Sequence, residues 1–482
     1  MAKRYLTTTL PYVNAEPHIG FALEVTQADT LARYWRLMGD EVLFNTGTDE
    51  HGQKILLKAQ TRNLSPQEFV DKAVGVFQEL VKHLELDWDR PEFIFTRTTD
   101  AHHVAAAQEF WRRCEKNGDI YKKLYKTKYC VGCELEKTDS ELVDGKCPLH
   151  PNMELEIIEE ENYFFRFSKY QESLLKLYDN PGFIVPEWRA NEVRNFVASG
   201  LQDFSISRLK SKMGWGIEVP GDPKQVMYVW FDALVNYISA LGWPENEKNF
   251  NTWWPGYQMA GKDNLRPQSA MWQAMLMSAG LEPSKQIFIH GFITSNGQKM
   301  SKSLGNIAHP YQLIEDYGAD ALRYYLLREI PPMEDGDYTS ERFLEVYNAG
   351  LANGLGNLVS RVIKMAENFD AWPEADKLLS AAEMIKSDFF QEFRENMDNY
   401  QFSKALDFVW IQIKEADLYV QNVQPFKVFK DKPEEAREQV RFLLESLWRI
   451  SVALTPILSG TALKIQKMIK REIPLEPLFL RR

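Results

Sequence analysis

The first 45 residues constrain the fold most, because a strand, a long helix and a second strand follow one another. Residues 5–13 (YLTTTLPYV) are rich in Thr and aromatic residues and end at a turn that contains Pro17, as expected of a buried strand. Apolar residues at helical spacing predict a helix from His18 to Met38 that ends at Gly39, and residues 41–45 predict the next strand. This order is typical of a right-handed parallel unit. We therefore predict a Rossmann-like α/β domain that binds ligands at the carboxyl ends of its strands.

The rest of the chain changes character twice, and its length of 482 residues is enough for about three domains. Short aromatic runs, turns and clustered cysteines between residues 118 and 225 indicate an inserted domain. Strand-like segments at 226–231 and 286–290 predict that the sheet then resumes. Long amphipathic patterns after about residue 345 predict an all-α helical bundle. The predicted division is 1–117 and 226–345 for a split catalytic domain, 118–225 for the insertion and 346–482 for the bundle.

Composition excludes several classes of protein. With 44% hydrophobic and 26% charged residues, the chain is typical of a folded globular protein. A formal charge of -11 argues against a protein that coats nucleic acid nonspecifically. The longest stretch without a charged residue, Pro267–Leu281, is shorter than the roughly 20 residues that a membrane span needs. No signal peptide is visible, so we expect a cytoplasmic protein that does not enter a membrane.

Three of the four cysteines fall in a metal-binding pattern. Cys130, Cys133, Cys147 and His150 form two short Cys-x2-Cys/His knuckles. Thiolates and an imidazole at this spacing can close a tetrahedral zinc site, and a complete set of four protein ligands indicates a structural site. We therefore predict one structural zinc ion per chain. Cys114 lies outside the pattern and is predicted to be a small core residue.

Two further segments could bind phosphate. His18 and Gly20 stand at the start of the first helix, where unpaired N–H groups and the helix dipole attract anions. Residues 299–303 (KMSKS) place two lysines and two hydroxyls on a loop flanked by glycines, which suits a mobile clamp on a polyphosphate. The GxGxxG and GxxxxGK[ST] signatures are missing from the sequence, which makes a dehydrogenase or a P-loop NTPase improbable.

With these motifs, the sequence resembles the class I aminoacyl-tRNA synthetases, and within them the methionyl-tRNA synthetase family of the bacterial type with a single zinc knuckle. The resemblance extends over essentially the whole chain. It rests on the HIGH-type signature at His18–Phe21, KMSKS at 299–303, TGTDEHG at 46–52, YVWFDAL at 228–234, GKDNLRP at 261–267, HGFITSNGQ at 290–298 and Gly356-Asn357-Leu358.

The resemblance implies an ATP-dependent ligase. L-methionine and Mg-ATP would give methionyl-adenylate and pyrophosphate, and the acyl group would then pass to tRNA-Met. The implied ATP site consists of His18, Gly20, Glu24, Gly261, Asp263, Lys299, Ser301 and Lys302, with His18, Lys299 and Lys302 as catalytic residues on the phosphates. The implied methionine site consists of Asp49 for the ammonium group and Leu10, Tyr12, Trp230, Ala233, Tyr237, Asn264 and Gln268 around the side chain.

Three residues depart from the family pattern near these sites. Phe21 replaces the second histidine of the signature, and the loss of one donor can cost about 2.7–4 kcal/mol of transition-state stabilisation. Asn264 replaces a position that is usually aliphatic, and Gln268 replaces a usual histidine. A buried amide without a partner costs about 1–3 kcal/mol, so either these amides satisfy each other or the pocket accepts a more polar side chain. Two alternatives therefore stay open: a paralogue that activates another amino acid, and a catalytically weak RNA-binding derivative.

The resemblance also implies an anticodon site in the helical bundle. Asn357 and Arg361 are four residues apart on one helix face, and Phe426 stands where the family commonly has a tryptophan that stacks on an anticodon base. A phenylalanine ring can stack as well, so we expect recognition of the CAU anticodon. The sequence ends without the extra oligonucleotide-binding domain that makes some family members dimers, so we expect a monomer.

Overall fold

The computed structural model describes residues 1–133, 135–137, 141–299, 308–373 and 378–482. The first half of the α/β domain contains β1 (Lys3–Thr7), α1 (Ile19–Leu37), β2 (Glu41–Thr48), α2 (Gln53–Thr61), α3 (Pro66–His83), β3 (Phe93–Arg97) and α4 (Ala101–Lys116). The next segment contains β4 (Ile120–Cys130), β5 (Leu135–Lys137), β6 (Glu156–Phe165), α5 (Gln171–Leu177), β7 (Ile184–Val185), α6 (Glu187–Ala198), β8 (Phe204–Ser205), β9 (Ser207–Leu209), β10 (Glu218–Val219) and β11 (Asp222–Met227).

The second half of the chain continues the α/β domain and ends in helices. Its α/β part contains α7 (Val229–Leu234), α8 (Asn236–Ser239), α9 (Glu247–Trp253), β12 (Tyr257–Gly261), α10 (Trp272–Ser278), β13 (Gln286–His290), β14 (Ile293–Ser295), β15 (Gln298–Lys299), α11 (Pro310–Tyr317), α12 (Ala319–Arg328) and β16 (Gly336–Tyr338). Its helical part contains α13 (Ser340–Val346), a π-helix (Tyr347–Gly356), α14 (Asn357–Phe369), α15 (Ala381–Met384), α16 (Gln391–Asp398), α17 (Phe402–Val423), α18 (Pro425–Val428), α19 (Pro433–Leu454) and α20 (Ser459–Ile469).

A parallel sheet with the strand order β3-β2-β1-β12-β13-β7 forms the centre of the α/β domain. Successive residues of β13 point to opposite faces: Phe288 packs with α1, whereas Ile287 and Ile289 pack with the aromatic residues of α4 and α10. Because helices cover both faces, β2, β12 and β13 are buried along almost their whole length, and this includes polar residues such as Asn45 and Thr46. The prediction of a Rossmann-like α/β fold followed by a helical bundle is confirmed.

The first predicted strand, residues 5–13, is wrong in its bounds because β1 spans Lys3–Thr7, whereas the following helix and second strand lie close to their predicted positions. Helix α1 begins after His18, and Gly39 follows its end with a φ of 98°, a conformation in which glycine is favoured. The second strand is longer than predicted, because it continues to Thr48. The predicted strand at 286–290 coincides with β13.

One predicted strand is wrong. Residues 226–231 were expected to return to the central sheet, but β11 ends at Met227 and belongs to a separate antiparallel sheet with β9 and β10. Residues Val229–Leu234 are helical and pack against α4. The aromatic and β-branched residues of this short apolar run favour a strand locally, and burial on a helix overrides that preference. Residues Ile184–Val185, inside the predicted insertion, instead supply an edge strand of the central sheet. The predicted domain bounds stay predictions.

The inserted segment and the bundle complete the architecture. Strands β4, β5, β6 and β8 form an antiparallel sheet. Cys130 ends β4, and Cys133 and Cys147 lie in the loops between the strands of this sheet. Helices α14, α17 and α19 pack against one another, and their apolar core is continuous with the residues around α1. Among the described residues, no helix is long and apolar enough to cross a lipid bilayer.

Candidate functional site

A crevice lies at the carboxyl ends of β1 and β12, where the strand order of the sheet reverses. The chain leaves β1 towards β2 on one side, and it leaves β12 towards β13 on the other. Such a switch point is where ligands bind in open α/β sheets. The segments that follow these strands bring together Thr9, the start of α1 at His18, residues 261–264 and His290.

His18 caps α1 and is exposed in this crevice. Its Nδ1 accepts a hydrogen bond from the Gly20 N–H at 3.0 Å, and a Cβ on Gly20 would lie only 2.8 Å from the imidazole Cε1. The surrounding walls desolvate the ring and lower the pKa of His18, although the Asp263 carboxylate opposes this shift. The neutral imidazole therefore carries its proton on Nε2, where it can donate to an anion.

Phe21 does not reach the crevice. Its side chain is 8% exposed, and its ring packs edge-on against Phe77 of α3, with 5.3 Å between the ring centroids. The position therefore contributes apolar packing between α1 and α3 and provides no hydrogen-bond donor to a ligand.

Glu24 is engaged by both sides of the crevice. The N–H and the hydroxyl of Thr9 each donate to Oε1 at 2.6 Å, and His290 Nε2 lies 2.8 Å from Oε2. The other ring nitrogen of His290 faces the Gly291 carbonyl at 2.7 Å, so both nitrogens face acceptors and the ring is placed as an imidazolium. Burial opposes this state, but the bond to Glu24 and its charge raise the pKa of His290. Sequence reasoning missed His290, whose signal is a histidine at the end of a buried strand.

Residues 261–264 form the opposite wall of the crevice. A Cβ on Gly261 would lie 3.0 Å from Asp263 Oδ1 and 3.5 Å from His290 Cε1, so glycine keeps this wall open. Asn264 Nδ2 points towards Asp263 Oδ1 at 3.3 Å. A mutual bond between the amides of Asn264 and Gln268 was one of two alternatives, and the structure instead gives each amide a different partner.

A cavity next to the crevice brings together most of the predicted methionine-site residues. It includes Leu10, Asp49, Trp230, Ala233, Tyr237, Asn264 and Gln268, together with four residues that sequence reasoning missed, Thr9, Leu234, Asn236 and Pro267. Tyr12 is not part of this lining, but its backbone forms a parallel bridge with Asp49. Because Thr9 also binds Glu24, the cavity and the crevice share one wall.

The polar end of the cavity is a chain of buried hydrogen bonds. Gln268 Nε2 donates to the Tyr237 hydroxyl at 2.6 Å, and Gln258 Nε2 donates to Gln268 Oε1 at 3.3 Å. The Ser284 hydroxyl donates to Gln258 Oε1 at 2.7 Å, and Gln273 in turn donates to Ser284 at 3.1 Å. Each of these side chains is at most 5% exposed. The amide of Gln268 is therefore satisfied inside the protein, and the Tyr237 hydroxyl oxygen is occupied as an acceptor.

Two residues after Asp49, His51 faces a buried carboxyl group. His51 Nδ1 lies 3.4 Å from Asp232 Oδ2, and both side chains are almost fully buried. Burial raises the pKa of Asp232, although the attraction and the hydrogen bond of His51 oppose that shift. The backbone of Asp49 itself is held by the Pro11 carbonyl and the Val13 N–H, at 3.0 and 3.2 Å. The cavity thus has one acidic lining residue, Asp49, whose backbone is fixed by the loop after β1.

The four predicted metal ligands converge in the inserted segment. Their ligand atoms all lie within 4.8 Å of one another. The distances include 3.4 Å between the sulfurs of Cys133 and Cys147 and 3.7 Å from Cys130 Sγ to His150 Nδ1. Zinc bound by sulfur and nitrogen requires edges of about 3.5–3.8 Å, so the donor set fits this ion. Burial disfavours the thiolate of Cys147, but hydrogen bonds from His150 and Cys133 lower its pKa.

Cys114 is separate from this cluster. It is buried in α4, where the apolar surroundings raise the pKa of its thiol to about 12, and it takes no part in the metal site.

The predicted phosphate loop is only partly described. The backbone of Lys299 ends strand β15, which pairs with β14. Ser301 and Lys302 lie outside the described residues, so their predicted contacts with phosphate stay predictions.

A second surface lies on the bundle. Arg361 of α14 pairs with Asp417 of α17 at 2.6 Å, and Phe426 leaves 48% of its surface exposed. A groove is lined by Ser360, Arg361, Lys364, Met365, Val420, Phe426 and Leu475. Asn357 is exposed one turn before Arg361 on the same helix. The groove thus combines an arginine that is paired with a carboxylate and an exposed aromatic ring, and rings of this kind can stack on unpaired nucleobases.

Comparisons with known proteins agree with this geometry. The family model described as tRNA synthetases class I (M) matches residues 4–156 and 151–363. The methionine–tRNA ligase of Thermosynechococcus vestitus is 44% identical over 94% of this chain and 87% of its own length. That of Thermotoga maritima is 40% identical over 98% of this chain and 76% of its own length. The structure of Mycobacterium tuberculosis methionyl-tRNA synthetase in complex with methionyl-adenylate superposes with a TM-score of 0.89 at 37% identity and covers 100% of this chain and 98% of that one.

Proposed function

We propose that this chain, which belongs to the class I methionyl-tRNA synthetases, activates L-methionine with ATP and transfers it to tRNA-Met. The observation that carries the proposal is the cavity that contains Asp49, Trp230 and Tyr237. This cavity shares Thr9 with the crevice in which His18 caps α1. An amino acid in the cavity and a nucleotide in the crevice would therefore meet at one wall. The chemistry needs no covalent nucleophile from the protein.

In the first step, a carboxylate oxygen of the amino acid attacks the α-phosphorus of ATP. A new P–O bond forms while the bond to pyrophosphate breaks, and the electron pair leaves with pyrophosphate. The protein contributes orientation and charge stabilisation. His18 would donate from Nε2 to a phosphate oxygen. Lys299 and Lys302 would neutralise the charge of the pyrophosphate as Mg-ATP reacts, and the Ser301 hydroxyl would donate a hydrogen bond to it. Gly20, Gly261 and Asp263 would contact the nucleotide, and Glu24 would hold the adenosine while it keeps Thr9 and His290 in place.

The hydrogen-bond chain at the polar end of the cavity favours methionine as the amino acid. Because Gln268 donates to the Tyr237 oxygen, the phenolic proton is available to a weak acceptor in the cavity, such as a thioether. Leu10, Trp230 and Ala233 would pack around the apolar part of the side chain, and Asp49 would bind the ammonium group. The satisfied amide of Gln268 removes the main argument for a more polar substrate.

The inserted segment would hold one structural zinc ion through Cys130, Cys133, Cys147 and His150. With four protein ligands, the ion has no open position for a substrate, so its contribution is to fix the two knuckles relative to each other. The geometry of the donor atoms supports this assignment.

The bundle would bind the anticodon of tRNA-Met. Asn357 and Arg361 would contact the edges of unpaired bases, and the exposed ring of Phe426 would stack on one of them. The proposal describes a cytoplasmic monomer that uses one RNA partner, and size-exclusion chromatography with light scattering checks the monomer.

The test is ATP–pyrophosphate exchange with each of the twenty amino acids. Exchange with methionine alone would support the proposal. Exchange with a different amino acid would identify a respecified paralogue. The absence of exchange with all twenty would indicate an RNA-binding derivative that has lost its chemistry.

A further inference from the structure

A lysine of the α/β domain contacts the metal knuckle. Lys54 Nζ, on α2, donates to the carbonyl oxygen of Gly132 at 2.8 Å. Gly132 lies between the ligands Cys130 and Cys133, and a Cβ there would overlap the His150 ring at 2.5 Å. The carbonyl that accepts from Lys54 therefore belongs to a backbone segment packed directly on a predicted metal ligand.

The same ammonium group also lies next to the amino-acid site. Lys54 Nζ is 5.8 Å from the centroid of the Tyr12 ring, a distance at which a cation is attracted by an aromatic face. The backbone around Tyr12 is paired with Asp49, the residue proposed to bind the ammonium group of methionine. One helical turn later, Lys58 donates to the Asn14 carbonyl in the same loop.

Helix α2 thus carries two lysines, four residues apart on one face, that reach the loop after β1. Lys58 binds the end of this loop at the Asn14 carbonyl. Lys54 lies between Tyr12 of the same loop and the Gly132 carbonyl of the knuckle. A hydrogen bond from an ammonium group to a carbonyl is charge-assisted, so its geometry is well defined when the acceptor is fixed. A zinc ion bound by all four protein ligands would fix the backbone of the knuckle and with it the Gly132 carbonyl. Release of the ion would leave this carbonyl without that restraint.

We propose that Lys54 is a positioning residue through which the metal-bound knuckle holds Tyr12 and Asp49 in place around the amino group of the substrate. The proposal rests on the proposed function. It predicts that the metal, although it does not take part in the chemistry, controls the affinity for methionine and leaves that for ATP unchanged.

The test compares Lys54→Met, which keeps the length of the stem but removes the charge, with Lys54→Arg and with the exposed Lys72→Met of α3. Calorimetric titration measures the Kd for methionine, exchange kinetics give KM for methionine and for ATP, and mass spectrometry gives the metal content. We expect Lys54→Met to keep its metal and melting temperature while its Kd and KM for methionine rise about tenfold. The KM for ATP should stay constant. Lys54→Arg should recover most of the affinity, and Lys72→Met should match the unchanged chain.

Chelation supplies the second arm. Removal of the metal from the unchanged chain should weaken methionine binding to the level of Lys54→Met, and it should weaken the variant no further. An unchanged Kd for methionine in Lys54→Met would overturn the proposal. A parallel rise of KM for methionine and for ATP would overturn it as well, and so would an equal effect of chelation on the unchanged chain and on Lys54→Met. If the unchanged chain showed no methionine-dependent exchange or binding, the proposed function itself would have failed.

Discussion

Substitution of Gln268 by leucine should reduce the selectivity for methionine over norleucine, which replaces the thioether sulfur by a methylene group. Gln268 is 3% exposed, and its side chain donates to Tyr237 and accepts from Gln258. Leucine has a similar volume and keeps the apolar packing, but it can make neither bond. The Tyr237 hydroxyl then loses the donor that holds its own proton towards the cavity.

The magnitude follows from the groups that lose partners. The buried Nε2 of Gln258 is left without an acceptor, which costs about 1–3 kcal/mol of folding free energy. A neutral hydrogen bond contributes about 0.5–1.5 kcal/mol, so loss of the Tyr237 bond to the thioether should lower the ratio of kcat/KM for methionine to that for norleucine about two- to twelvefold. The KM for ATP should not change, because Gln268 lies in the cavity and not in the crevice.

The assay is pyrophosphate exchange with each amino acid at several concentrations, combined with thermal unfolding. Gln268→His is the matched variant, because an imidazole can donate to the same hydroxyl and should restore the ratio. A leucine variant that melts at a lower temperature but keeps the ratio of the unchanged chain would refute the reasoning and reduce Gln268 to a structural residue.

Four further outcomes test other parts of the account. Lys302→Ala should lower exchange about 10²- to 10³-fold while filter binding of tRNA-Met persists, and retained exchange would remove Lys302 from the phosphate clamp. Cys147→Ser should bind less than one metal ion per chain by mass spectrometry, and a full metal content would contradict the knuckle. Arg361→Ala should raise KM for tRNA-Met in aminoacylation and leave exchange unchanged; an unchanged KM would place the anticodon elsewhere. Because Glu24 raises the pKa of His290, the stability that their pair adds is fully present below about pH 6.5 and is lost as the pH rises through the raised pKa. His290→Gln should therefore lower the melting temperature more at pH 6 than at pH 9, and an equal loss at both would show that the imidazole is neutral.

The metal cluster and the first strand-helix-strand unit could be predicted from the sequence because their determinants are local. The cysteine spacing brings the ligands onto two short loops that face each other across one hairpin region. The order of strand, long helix and strand along the chain favours a right-handed parallel unit. The cavity residues were placed by resemblance to a family, since spacing alone gives Trp230 and Tyr237 no role beyond that of core aromatics.

The hydrogen-bond chains could not be predicted, because they join residues far apart in sequence through side chains that also occur as ordinary core polar groups. Glu24 of α1 meets His290 at the end of β13, and Gln268 is satisfied by Gln258 rather than by the neighbouring Asn264. Which partner an amide takes depends on side-chain directions fixed by tertiary packing. The helical state of residues 229–234 could not be predicted either, because their packing against α4 is a tertiary contact that overrides the local preference for a strand.

Charging of tRNA-Met by the purified chain tests the central claim most directly. The assay uses labelled methionine with tRNA-Met transcripts that carry either the CAU anticodon or a GAU replacement. The account predicts methionyl-tRNA formation with the CAU transcript and a strongly reduced kcat/KM with the other. No charging of the CAU transcript by a chain that binds ATP and methionine, or equal charging of both transcripts, would contradict it.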